Sequence, residues 1–259
     1  MGILNLTPDS FFDGGSLISE KEVVQKAKKM LDDGATFLDV GGYSSRPGAD
    51  FVSEEEELNR VIPVIQLLIK EFPEAIISID TFRSDVAEKA VLAGAAIIND
   101  ISGGNLDEHM FETVAALKVP YIVMHMRGTP KTMASQTSYE DITKELIYYF
   151  SEKINKATSL GIKDIIIDPG FGFAKTQKQN FELMNHLELF NHLEVPLLVG
   201  ISRKSMIYKT LANSPKEALN GTTVLHSIAL FKGAHILRVH DVKEAKECIT
   251  LIQNLKGKP

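Results

Sequence analysis

Eight short runs rich in β-branched and other apolar residues recur along the chain, each followed by a longer stretch of mixed polarity. They are GILNLT (2–7), TFLDVGG (36–42), AIISID (75–80), AAIIND (95–100), YIVMHM (121–126), DIIID (164–168), PLLVGIS (196–202) and HILRVH (235–240). Runs this short that are apolar on both faces suit parallel strands covered by helices. Eight strand–helix pairs in strict alternation predict a (β/α)8 barrel, a fold of about 250 residues. The chain has 259 residues. A doubly wound sheet would more often hold fewer pairs.

The intervening stretches read as helices. In 20–34, Val23, Ala27, Met30 and Leu31 share a face and Gly34 can end the helix. The stretch 54–72 opens with four glutamates, where a helix dipole favours them, and its Pro63 predicts a kink or a helix start there. Further helices are expected near 83–93, 107–118, 138–160, 177–191, 216–232 and 241–255. No linker or low-complexity segment divides the sequence, so residues 1–259 are expected to form one α/β domain.

Composition narrows the function. A net charge of −6 leaves no basic surplus to neutralise phosphates, which argues against a nucleic-acid partner. No run approaches the ~18–20 apolar residues of a membrane span, and no secretory signal opens the chain. The single cysteine, Cys248, cannot form an internal disulfide, and together these features predict a soluble cytoplasmic protein.

In a (β/α)8 barrel the active site lies at the C-terminal ends of the strands. Here those ends carry Asn5, Asp39, Asp80, Asn99 with Asp100, His125, Asp168, Ser202 to Lys204, and Arg238 with His240. Polar groups in such places are costly unless paired or used. The SRKS cluster (202–205) with Arg238 and His240 supplies three firm positive charges and an imidazole at strands seven and eight, the usual barrel location of a phosphate site. Asp80 and Asp168, with Asn99, can read the N–H edge of a heterocycle, and Phe173 can wall its ring. Asp and Asn oxygens suit Mg²⁺, whereas no His/Cys cluster has zinc spacing. His125 and His226, each standing alone, read as structural.

Taken together, MGILNLTPDSFFDGG, SSRPGA, SIDT, INDISGG, MHMRGTP, DPGFGF, GISRKS and RVHDV resemble the motifs of the bacterial dihydropteroate synthase family, in the family's order and from residue 1 to about 242. The resemblance implies a TIM barrel that joins 6-hydroxymethyl-7,8-dihydropterin pyrophosphate to p-aminobenzoate, giving 7,8-dihydropteroate and pyrophosphate. It implies a pterin pocket of Asp80, Asn99, Asp168 and Lys204 with Met124 as an apolar wall. It places Arg238 and His240 on the pyrophosphate, and Asn5 on Mg²⁺ as cofactor. Ser45, Arg46, Pro47, Phe173 and Ser205 would line the p-aminobenzoate site, where sulfonamides compete. Phe11 and Asp13 would help close it. Asp80, Lys204, Arg238, His240, Arg46 and Asp13 would carry catalysis. The family also suggests a homodimer.

The sequence departs from the family pattern at Tyr43 (usually Glu), Ser45 (usually Thr), Phe12 (often Ser) and Ala174 (commonly Gly). The first strand run begins at residue 2, so the short N-terminal hairpin usual in the family is expected to be absent. No nucleophile or general base is conspicuous, which predicts dissociative loss of pyrophosphate. Two other readings stay open: a pterin-binding paralogue without activity, and a methyltetrahydrofolate-binding methyltransferase barrel. The latter gives no reason for the SRPG loop or the anion site.

Overall fold

A computed structural model of the protein describes residues 1–6, 20–44 and 51–257. Its strands are β1 Gly2–Asn5, β2 Phe37–Gly41, β3 Ile76–Asp80, β4 Ile97–Asp100, β5 Tyr121–Met124, β6 Ile165–Asp168, β7 Leu198–Val199 and β8 Ile236–Leu237. The α-helices are α1 Glu20–Asp32, α2 Glu54–Glu71, α3 Ser84–Leu92, α4 Met110–Leu117, α5 Ile142–Ser159, α6 Gln177–Asn185, α7 Ser205–Tyr208, α8 Leu219–Phe231 and α9 Val242–Leu255. All eight expected strands are present.

Strands β1 to β6 pair in sequence order and β7 pairs with β8, every pair parallel. Two parallel bridges, Ile167 to Leu197 and Gly2 to Val239, join these sheets on both sides and close the ring. The seams are hydrogen-bonded: Ile167 N donates to Pro196 O at 3.0 Å and Ile3 N to Val239 O at 2.9 Å. The protein is therefore a (β/α)8 barrel. No helix among the described residues is long and apolar enough to cross a membrane.

The period-two alternation of strands explains where polar groups go. Ile97, Ile122, Ile166 and Leu198, with Phe37 and Ile236 beside them, form one apolar cluster. Two residues on, the same strands carry Asp39, Asn99, Met124, Asp168, Gly200 and Arg238. The alternate positions, among them Leu38, Val40, Ile77, Ile79, Ile98, Val123 and Ile167, join the larger cluster with the helices.

The helices differ from expectation in three places. Helix α2 begins at Glu54 and runs through Pro63, because Ser53 caps it by accepting from Glu56 N at 3.2 Å and four acids occupy its first turn. The stretch 177–191 breaks at His186 into α6 and a 3-10 segment, Leu187–Leu193. The connection between β7 and β8 holds an extra short helix, α7, before α8.

Candidate active site

Strand register gathers the polar residues into one level. Asn5 pairs with Gly41, Gly41 with Asp80, Asp80 with Asn99, and Met124 with Asp168. Arg238, one residue beyond β8, reaches across this level. Its Nε donates to Asp39 Oδ2 at 2.6 Å and its Nη2 to Asp80 Oδ2 at 2.5 Å. Asn99 Nδ2 donates to the same Asp39 oxygen at 3.1 Å. Asp39 is fully buried, and its other oxygen, Oδ1, has no hydrogen-bond partner among the described residues.

Asp168 ends β6 and is buried. Its Oδ1 accepts from Gly170 N at 2.8 Å. Gly170 has φ +68, and a Cβ there would stand 2.1 Å from His125 O, so only glycine lets this loop lie against β5. Lys204 Nζ donates to Phe171 O and lies 4.6 Å from the centre of the half-buried Phe173 ring. Met124 joins a small apolar cluster with Ile101, Met126, Met133 and Ala174, against which Phe173 packs. Ala174 has φ +48, the left-handed region that favours the glycine common there in the family.

The other expected residues divide. Asn5 stands at the end of β1, and Ser205 begins α7. His240 Nδ1 lies 3.2 Å from Ser202 Oγ on the neighbouring strand end. Arg203, counted among the three charges of an anion site, is committed elsewhere. Its Nε and Nη2 pair with Asp241 at 2.8 and 2.9 Å, and its Nη1 donates to the carbonyls of Pro215 and Lys216. A left-handed backbone at Arg203, φ +55, accompanies that placement. Asp13, Ser45, Arg46 and Pro47, with Phe11 and Phe12, lie outside the described residues. Tyr43 packs edge-on against Phe82, ring centres 5.1 Å apart, with the Arg83 guanidinium 5.5 Å from its ring.

Sequence reasoning left three structural groups unassigned. Asp39 is the first, although its place two residues after Phe37 marks it as inward-pointing. The second is Asp100, which accepts from Ser102 N and Oγ, Gly104 N and Tyr121 Oη, all at 2.7 Å, and so shapes the turn after β4. The third is Lys175, buried in the loop after β6.

Burial sets the electrostatics. It pushes the Asp80 carboxyl up to about 7; Arg238 opposes that shift and Asp39 reinforces it. Burial pushes Asp168 upward too, against the pull of Lys204. It lowers Lys204 to about 8, with Asp168 pulling the other way. For Arg238, burial disfavours the charge, but Asp39 and Asp80 outweigh it and hold the guanidinium protonated beyond its ordinary range. The site thus offers two buried carboxylates as acceptors, an amine titrating near neutrality and a permanent cation at one rim. That set fits a flat, N–H-bearing heterocycle with an anionic substituent.

A family described as pterin binding enzyme matches residues 1–240. The chain is 46% identical over 255 residues to the dihydropteroate synthase of Escherichia coli K12, covering 98% of this chain and 90% of that one. Against the dihydropteroate synthase of Bacillus subtilis it is 43% identical over 260 residues, covering 100% and 88%. The crystal structure of the Yersinia pestis dihydropteroate synthase in a sulfonamide drug complex superposes with a TM-score of 0.92 at 40% identity, covering 99% of this chain and 93% of that one. The Xanthomonas albilineans enzyme with 4-aminobenzoic acid gives 0.92 at 39%, covering 100% and 93%. With the barrel, the buried carboxylates and the cation at strand eight already in place, these likenesses settle its kinship: the chain belongs to the pterin-binding enzyme family, in which dihydropteroate synthases are its relatives.

Proposed function

We propose that this site condenses 6-hydroxymethyl-7,8-dihydropterin pyrophosphate with p-aminobenzoate, releasing pyrophosphate and forming 7,8-dihydropteroate. The observation that carries the proposal is Asp80, Asn99, Asp168 and Arg238 at the C-terminal ends of β3, β4, β6 and β8, with Lys204 just ahead of α7. In this reading Asp168 and Asn99 take the amino-pyrimidine edge and Lys204 donates to the pterin. Asp80 faces the dihydropyrazine side, and Met124 walls the ring. Arg238 and His240 hold the pyrophosphate.

The reaction then needs no protein nucleophile. The bond between the pterin's exocyclic carbon and the bridging oxygen breaks, and its electron pair leaves with pyrophosphate. The carbocation left behind is delocalised into the pterin, and the carboxylate of Asp80 stabilises it. The amine of p-aminobenzoate attacks that carbon, and the new C–N bond forms with loss of one amine proton. Phe173 and Ser205 border the incoming ring. By the family resemblance, Ser45, Arg46 and Pro47 would border the p-aminobenzoate and Phe11 and Asp13 would help exclude the water that would otherwise compete.

A magnesium ion fits the donor chemistry. Asn5 offers a hard carboxamide oxygen, and the neighbouring Gly41 has no side chain to crowd it: a Cβ there would press on Asp80 Cβ at 3.2 Å and touch Asn5 Oδ1 at 3.6 Å. Among the described residues no group of three or more His, Cys, Asp or Glu could hold a metal. Held by Asn5, it would supply charge neutralisation on the departing pyrophosphate.

A cytoplasmic homodimer is part of the same proposal. The lone buried cysteine is consistent with a reducing compartment, and Phe231 on α8 with Leu251 and Leu255 on α9 leaves apolar surface for a second copy. Calorimetry with dihydropterin pyrophosphate tests the pocket. Asp168→Asn and Lys204→Met should each remain folded and lose pterin binding; near-native affinity in either variant would refute the assignment.

A further inference from the structure

The loop after β6 is held from two sides by amines. Lys204 reaches Phe171 O from the pocket side. From beneath, Lys175 Nζ donates to Gly170 O and to Phe173 O, each at 3.0 Å, and lies 3.1 Å from His125 Nδ1. Burial holds the Lys175 amine well below its ordinary range, and the two carbonyls take two N–H donors, which the amine carries whether charged or neutral; His125 O stands further off at 3.4 Å. His125 is buried, and burial, with Lys175 beside it, holds its pKa well below the ordinary range, so its ring stays neutral. The turn so held is tight, with Phe173 N donating to Gly170 O at 3.0 Å. Tyr139 Oη donates to Ala174 O at 2.9 Å, which ties the next residue to the β5–α5 connection.

We infer that Lys175 is a positioning residue for the aromatic-amine half of the site: by binding the Gly170 and Phe173 carbonyls it fixes the Phe173 ring against which p-aminobenzoate lies. This rests on the function proposed above. Asp168 sits on the strand and Phe173 on the loop, so loosening the clamp separates the two halves of the site. Removing the amine leaves Asp168 and its pterin contacts in place. It lets the Phe173 ring wander by an ångström or so, enough to change rates by about tenfold or more.

The test uses the full chain with Lys175→Met, which keeps the side chain's length and removes its donors. Amide exchange across residues 170–174 should accelerate by about tenfold or more as the turn opens. KM for p-aminobenzoate should rise about tenfold, with the dihydropterin pyrophosphate Kd within about threefold of wild type. Combined with Phe173→Leu, Lys175→Met should add little further loss, because both act through one ring. Unchanged exchange in a folded variant would overturn the clamp. Faster exchange with unchanged KM for p-aminobenzoate, or equal losses for both substrates, would overturn its positioning role. If Lys175→Met does not fold, Tyr139→Phe loosens the same loop more gently and should raise the same KM by a smaller factor; no rise there would also overturn the inference. A wild-type protein that forms no dihydropteroate would sink the functional reading instead, and the exchange experiment would still report on the clamp.

Discussion

Asp39→Asn is the most revealing single change, because it removes one charge and almost no volume from the centre of the polar level. Asp39 Oδ2 accepts from both Arg238 Nε, at 2.6 Å, and Asn99 Nδ2, at 3.1 Å. If the new carboxamide keeps its oxygen there, its NH2 must take the Oδ1 side, which has no partner among the described residues. A buried unsatisfied donor costs about 1–3 kcal/mol. Arg238 also trades a charged acceptor for a neutral one, a further loss of about 1–2 kcal/mol. Two effects soften this: Asp80 still pairs with Arg238, and the repulsion between Asp39 and Asp80 disappears. A net cost of about 3 kcal/mol lowers the melting temperature by about 6–12 °C for a chain of this size. The same change should shift a titration. The Asp39 charge helps keep the Asp80 carboxyl up near 7, so its removal lets Asp80 ionise at lower pH. Thermal denaturation together with the pH profile of kcat/KM for dihydropterin pyrophosphate measures both. A variant that melts within about 1 °C of wild type, with the acid limb unmoved, would refute this account of the network.

Wild-type kcat/KM should be bell-shaped. Asp80 must be ionised, so activity falls as pH drops through about 7; Lys204 must be protonated, so activity falls as pH rises through about 8. A profile flat from pH 6 to 9 would contradict those assignments. Ala174→Gly should stabilise the protein by about 0.5–1 kcal/mol in urea unfolding, since φ +48 disfavours a side chain. Gly170→Ala, whose new Cβ would meet His125 O at 2.1 Å, should cost more than about 3 kcal/mol. Equal effects from the two would undo the backbone argument. Arg203→Met should lower the melting temperature yet leave pterin pyrophosphate affinity unchanged, because Arg203 is spent on Asp241 and two carbonyls; a large affinity loss would return it to the anion site.

The barrel was legible because each strand advertises itself locally. An apolar run of five to seven residues and a glycine or cap before the next helix need only neighbours in sequence. The strand-end level was legible for the same reason, since Phe37–Asp39, Ile97–Asn99, Ile166–Asp168 and Ile236–Arg238 each step from an apolar residue to a polar one at the same face. Pairing across the barrel was not. Arg238 and Asp39 lie 199 residues apart, and no local pattern says that one guanidinium spans Asp39 and Asp80. Arg203 misled because composition reports its charge and not its direction, which Asp241 decides. Lys175 stood in plain view in DPGFGFAKT, but its partner His125 lies 50 residues away on β5's far end. The helix breaks at His186 and around α7 reflect tertiary packing outweighing a continuous apolar period.

Product formation tests the central claim most directly. Pure protein is mixed with dihydropterin pyrophosphate, p-aminobenzoate and Mg²⁺, and 7,8-dihydropteroate and pyrophosphate are quantified together. The account predicts both, in equal amounts, with the product lost on Asp168→Asn or Lys204→Met. Tight pterin binding with no dihydropteroate would instead mark the chain as a binding protein that has kept the pocket and lost the reaction.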